Sequence, residues 1–73
     1  QHPLFIALRD KRKEIAQEEN KPPFMIFSDA SLFDMIAQRP QNLEAFSHIH
    51  GVGQHKLNHY GLQFLQIIRH FND

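Results

Sequence analysis

The sequence has no cysteine, which removes disulfide staples and thiolate metal sites and leaves the redox compartment open. It also lacks an excess of charge. Eight basic and eight acidic side chains cancel, and this counts against a strong nucleic-acid binder, since such domains are usually clearly basic. Six histidines soften that balance on one side, because imidazoles with an ordinary pKa near ~6.5 add positive charge as the solution acidifies. No uncharged run approaches the ~18 apolar residues of a membrane span. The longest stretch free of Asp, Glu, Lys and Arg, Leu57 to Ile68, is interrupted by Asn58, His59, Gln63 and Gln66. There is no internal repeat, no low-complexity segment and no signal or transit pattern. What remains is 73 residues with one small core, near the lower limit for folding without metal or disulfide. The expectation is a single domain, 1–73, with no membrane contact and monomeric in isolation. A start at Gln1-His2-Pro3 rather than Met points to a domain cut from a longer chain.

What the chain does have is helical periodicity. Leu4, Leu8 and Ile15, with Phe5 beside them, recur at 3.6-residue spacing and predict an amphipathic helix from Pro3 to about Glu19. Its polar surface is sorted by sign: Arg9 and Lys13 share one stripe, and Asp10, Glu14 and Glu18 share the next. Arg12 lies nearer the apolar side, where its stem can pack while its head finds a carboxylate. Asn20-Lys21-Pro22-Pro23 stops the helix, because the residue before each proline is pushed out of the α region. Phe24 to Phe27 is too short and isolated for a strand, so an extended or 3-10 connector is expected, with Ile26 or Phe27 in the core and Phe24 partly exposed.

Ser28 caps a second helix with Asp29 in its first turn, a buried stripe of Leu32, Phe33, Met35 and Ile36, and an end at Arg39-Pro40. Asn42 caps a third, Leu43 to about His50, in which Leu43, Phe46 and Ile49 recur every third residue and Gly51 closes the end. A fourth helix from Gly53 or Gln54 buries Leu57 and Tyr60, Gly61 marks a bend, and a last helix carries Phe64, Leu65, Ile67, Ile68 and Phe71. The fold class is all-α, a compact bundle of about five helices.

The stretch Ile49 to Lys56 is the most informative locally. Gly51-Val52-Gly53 keeps the backbone accessible, Gln54 and His55 open the next helix, and Lys56 adds a charge one turn on, so the N–H groups there suit an anion such as phosphate. The alternative is a tight helix-to-helix turn with Val52 packed inward. Single-strand binding needs an aromatic platform flanked by cations; Phe24 with Lys21, Lys56 and the Arg9/Lys13 stripe fits that requirement, and the alternative is a buried Phe24 with lysines that only solubilise. His55 and His59, four apart, have workable zinc spacing, but two ligands do not make a site and His48 and His50 need not converge on them. No metal and no cofactor is expected; the four histidines instead line the rim of the glycine turn. Ser28, Ser31 and Ser47 have no nucleophile-elbow context and the nearby acids serve helix starts, so no catalytic residue is assigned.

Five pieces in order, Leu8 to Ala16 (Leu-Arg-x-x-Arg-x-x-Ile-Ala in outline), Pro22-Pro23-Phe24, Phe27 to Leu32, Ile49 to Lys56 and Tyr60 to Leu65, resemble the HRDC domain, the helicase-and-ribonuclease-D C-terminal module. The resemblance runs from Leu4 to Phe71 and is nearest to RecQ-type DNA helicases of bacteria. It implies a five-helix accessory module behind an ATP-dependent helicase core, without catalytic activity of its own, that weakly binds single-stranded or branched DNA and helps substrate selection in DNA repair and recombination. It also implies a bacterial, cytoplasmic, nucleoid-associated setting. The Gly-Val-Gly turn is similar to half of a helix-hairpin-helix, and the aromatic after Pro-Pro, here Phe24, is a stacking candidate where the family often has tyrosine. The DNA-binding set is therefore Arg9, Lys13, Lys21, Phe24, Gly51, Val52, Gly53, Gln54, His55 and Lys56. Neutral charge departs from the family's basic DNA binders. The alternative is a protein-interaction module that docks on its own helicase core or a partner through the Asp10-Glu14-Glu18 stripe.

Overall fold

The computed structural model describes residues 2–71; Gln1, Asn72 and Asp73, and with them the outer ends of the expected domain 1–73, lie outside the described residues. Helix α1 spans Pro3–Glu19 and buries Leu4, Leu8, Ile15 and Ala16. His2 caps it, its Nδ1 accepting from the Leu4 N–H at 3.1 Å, and Pro3 sits where a missing N–H costs nothing. Asn20 ends the helix in the left-handed region, φ 56°, and donates its N–H back to the Ala16 and Gln17 carbonyls.

The prolines then set a single 3-10 turn, Pro23–Met25. It delivers Ile26 and Phe27 to full burial and leaves Phe24 and Met25 outside. Arg12 fastens this connector to α1. Its Nη1 donates to the Phe27 carbonyl at 3.0 Å and to Asp29 Oδ1 at 2.8 Å, so the stem packs and the head finds a carboxylate, as its position on the helix implied.

Helix α2, Asp29–Gln38, starts on Ser28, whose Oγ accepts from the Ser31 N–H at 3.2 Å. Leu32 and Met35 are buried, but Phe33 is 57% exposed and does not belong to the core stripe. The inward stripe instead includes the fully packed Ser31, and Phe33 is carried away from the core by its helical position next to Leu32.

Helix α3 is short. Asn42 Oδ1 accepts from the Ala45 N–H at 2.8 Å, but the α-helix covers only Leu43–Phe46 rather than reaching His50. Beyond it, His48 N–H bonds Ala45 O and Ile49 N–H bonds Phe46 O, which is three-residue winding. A core repeat of Phe46 and Ile49 suits 3.0 residues per turn better than 3.6, and Leu43, the first of the triplet, is 42% exposed.

Helix α4, Gln54–Lys56, and helix α5, Leu62–His70, are joined by a π-helical turn, Leu57–Gly61, with right-handed helical backbone throughout. Gly61 is therefore not a bend between separate helices: its φ and ψ are −54° and −48°. Its lack of a side chain lets neighbours close in, since a Cβ there would lie 3.0 Å from Leu57 Cδ1 and 3.4 Å from Leu43 Cδ2. Phe27 holds the centre of the bundle, with edge-to-face contacts to Phe46, Tyr60 and Phe64 at 6.2, 6.0 and 4.9 Å. One ring from the connector thus binds α3, the π turn and α5 together.

Candidate nucleic-acid interface

The 3-10 turn holds Phe24 outside, 68% exposed. Its neighbour Pro23 lines a groove on α1 together with Arg9, Asp10, Arg12 and Lys13. Arg9 and Lys13 are exposed and belong to no ion pair among the described residues, whereas Lys11 holds Glu14 and Lys21 holds Glu19, each at 3.3 Å. Arg12 is committed to Asp29. The groove is not uniformly positive, because Asp10 shares its wall. At its other end, the Arg9 guanidinium carbon lies 5.8 Å from the Phe5 ring centre, and Phe5 stacks on Phe33 at 5.2 Å with ring planes 10° apart.

The glycine turn is tied to α2. Ser31 Oγ donates to the His50 carbonyl at 2.6 Å, and the His50 N–H donates to Asp34 Oδ2 at 2.8 Å. That N–H, reinforced by the Gln38 amide at 2.9 Å, holds the Asp34 carboxyl below the usual carboxylate range. Gly51 takes φ +78°, and Val52 is half-buried against the core with its N–H on the Ile49 carbonyl. The N–H groups of His50 and Val52 are thus occupied. The first turn of α4, with Gly53 at its cap position, carries no side-chain cap.

Gln54 is exposed, its amide on Asn58 Oδ1 at 2.9 Å. His55 and His59 stack at 4.0 Å, and the 2.9 Å contact to the His55 carbonyl makes His59 Nδ1 a donor. Among the described residues no three ligand-type side chains come together to hold a metal ion. Lys56 is half-buried with its Nζ 5.8 Å from the centre of the Phe27 ring. Beside it, the Tyr60 hydroxyl donates to Glu19 Oε1 at 2.6 Å. This bond lowers the Glu19 pKa and, with burial added, pushes Tyr60 up to about 12.

Arg9, Lys13 and Pro23, next to Phe24, are therefore brought together on α1, while Gly51 to Lys56 is set against α2 and Phe27. Ser31 and Asp34 as anchors of the turn, Glu19 as the partner of Tyr60, and the Phe5–Phe33 stack were not foreseen from the sequence. The one available signal was Ser31, a small polar residue at a helical position that packs inward.

These elements, in this order around one aromatic centre, define a small all-α module. The HRDC domain family model matches residues 1–68, and the chain belongs to the HRDC domain family. It is 47% identical over 66 residues to the ATP-dependent DNA helicase RecQ of Bacillus subtilis and 41% identical over 66 residues to that of Haemophilus influenzae; each alignment covers 90% of this chain and 11% of the relative. It is 33% identical over 66 residues to the ATP-dependent DNA helicase UvrD2 of Mycobacterium tuberculosis, covering 90% of this chain and 9% of the relative. Among solved structures, it is similar to D. radiodurans RecQ HRDC domain 3, with a TM-score of 0.87, 30% identity, and coverage of 92% of this chain and 88% of that one. The chain spans about a tenth of the length of the curated relatives it matches. No helix among the described residues is long and apolar enough to cross a membrane.

Proposed function

We propose that this chain is a single non-catalytic accessory module of a larger, RecQ-like ATP-dependent DNA helicase, and that it weakly binds single-stranded or branched DNA so that the motor selects or holds its substrate. The carrying observation is Phe24, 68% exposed next to a groove with Arg9 and Lys13, two cations that form no ion pair among the described residues. A base stacks on that ring and phosphates lie over the cations. Lys21 and the turn formed by Gly51, Val52, Gly53, Gln54, His55 and Lys56 complete the DNA-facing set, with phosphate approaching the uncapped start of α4. Such a module works at the bacterial nucleoid and, in the whole protein, sits beside the helicase core.

Fluorescence anisotropy with a labelled single-stranded oligonucleotide at low salt tests this directly. Phe24→Ala is expected to weaken binding about five-fold or more, on the scale of one stacked base. Absence of binding by the native chain near ~1 mM protein, a contact worth under about 4 kcal/mol, ends the DNA reading and leaves docking through Asp10, Glu14 and Glu18 as its replacement.

A further inference from the structure

Phe33 leaves 57% of its surface exposed on α2, and it is paired with a second ring rather than scattered singly. Its surroundings indicate what it can hold. The ring lies nearly parallel on Phe5, and the Arg9 guanidinium lies over that same Phe5 ring. Phe5, Arg9 and Lys13 follow each other at four-residue intervals on α1, so they form one stripe roughly 12 Å long. The far end of the stripe is the groove shared with Pro23, next to the exposed Phe24. The surface therefore runs ring, cation, cation from Phe33 through Arg9 and Lys13 to Pro23, whose chain neighbour is the exposed Phe24.

We infer that Phe33, backed by Phe5, is a second base-stacking platform, and that a single DNA strand lies along α1 with bases on Phe33 and Phe24 and phosphates over Arg9 and Lys13. The inference rests on the DNA reading of Phe24. The chemistry favours a strand over an apolar peptide. Flat faces joined by regularly spaced negative charges match two rings separated by two cations, whereas an apolar segment covering Phe33 would strip water from Arg9 without returning a charge to it. Asp10 on the groove wall repels phosphate from that side and confines the backbone to the Arg9–Lys13 edge.

Anisotropy with labelled oligothymidines of about fifteen and about two nucleotides separates the outcomes, since only the longer one spans the stripe and reaches both rings. For the longer strand, Phe33→Ala is expected to weaken binding about five-fold or more, as Phe24→Ala does. For the shorter strand either substitution alone changes affinity by about two-fold at most, because one platform remains. Phe33→Trp keeps a flat ring and introduces the sole indole of a chain that has no tryptophan. Its emission is expected to be quenched as the strand stacks, a signal that a merely structural Phe33 would not give.

Native affinity in Phe33→Ala, or unquenched emission in Phe33→Trp, overturns the second platform. If Phe24→Ala still weakens binding in that case, the first reading stands. If the native chain binds neither strand, both fall. Should Phe33→Ala lose its helical circular dichroism, the quenching of Phe33→Trp decides alone.

Discussion

A methyl group added at Gly51 would sit 2.7 Å from Ser31 Oγ, on a residue whose φ is +78°. Both facts act against it: the left-handed backbone is strained for any side chain, and the displaced hydroxyl is the one that donates to His50 O. Gly51→Ala is expected to lower stability by about 1–3 kcal/mol in urea denaturation. Gly53 differs. A Cβ there meets nothing within 4 Å, and its φ of −87° suits any residue. The loss of a glycine cap and the reduced freedom of the unfolded chain roughly offset, so Gly53→Ala is expected to stay within about 0.5 kcal/mol of the native stability. If phosphate approaches the start of α4, the same methyl weakens DNA binding without touching the fold, and equal affinity would place the strand elsewhere. In the sequence the two glycines already hold different places, Gly51 closing one helix and Gly53 opening the next. What is missing there is the steric half of the difference, which arises because α2 brings Ser31 against Gly51.

At the level of elements, the parts legible in the chain are those governed by local chemistry. Ser28 and Asn42 cap as their side chains dictate, Asn20 and the prolines stop α1, and Arg12 follows from its place on the wheel. Phe33 and Gly61 were not legible. Which stripe of α2 faces inward depends on the rest of the bundle, and nothing local in residues 57–61 marks π rather than α winding. The cation-lined groove was legible as an Arg9/Lys13 stripe but not as a surface shared with Pro23. The join between α1 and the π turn, Tyr60 to Glu19, is tertiary in the same way. It carries a pH signature. Tyr60 is raised above its ordinary 10.0 to about 12, so its contribution to stability is full below about pH 10 and is lost as pH rises toward about 12, where the unfolded chain has already released the proton. Since Tyr60 is the sole tyrosine, ultraviolet absorbance reads it alone. Its ionisation is expected well above pH 10 in the native chain, and Glu19→Gln should move it back down. An unchanged midpoint in Glu19→Gln would mean that the hydrogen bond does not hold the proton.

For the whole molecule, a net charge of zero sets the scale of any electrostatic attraction to DNA. Arg12 is committed to Asp29, Lys11 to Glu14, and Lys21 in part to Glu19. Of the other five, Arg39 bonds the Ile36 carbonyl and Arg69 lies in the last turn of α5, so within the proposed DNA-facing set Arg9, Lys13 and Lys56 remain to meet phosphates, with Lys21 able to join them. Each neutralised phosphate of a single strand contributes about 0.7 to the slope of log affinity against log salt, so three or four contacts give a slope of about −2 to −3. Most of the remaining affinity is then stacking, which salt leaves largely alone. Anisotropy titrations across a range of salt concentrations are expected to show this shallow line, and the Lys13→Gln variant is expected to flatten it by just under one unit while leaving stacking intact. A native slope much steeper than about −4 would require more cations than this surface presents, and the strand would then have to follow a different face of the bundle.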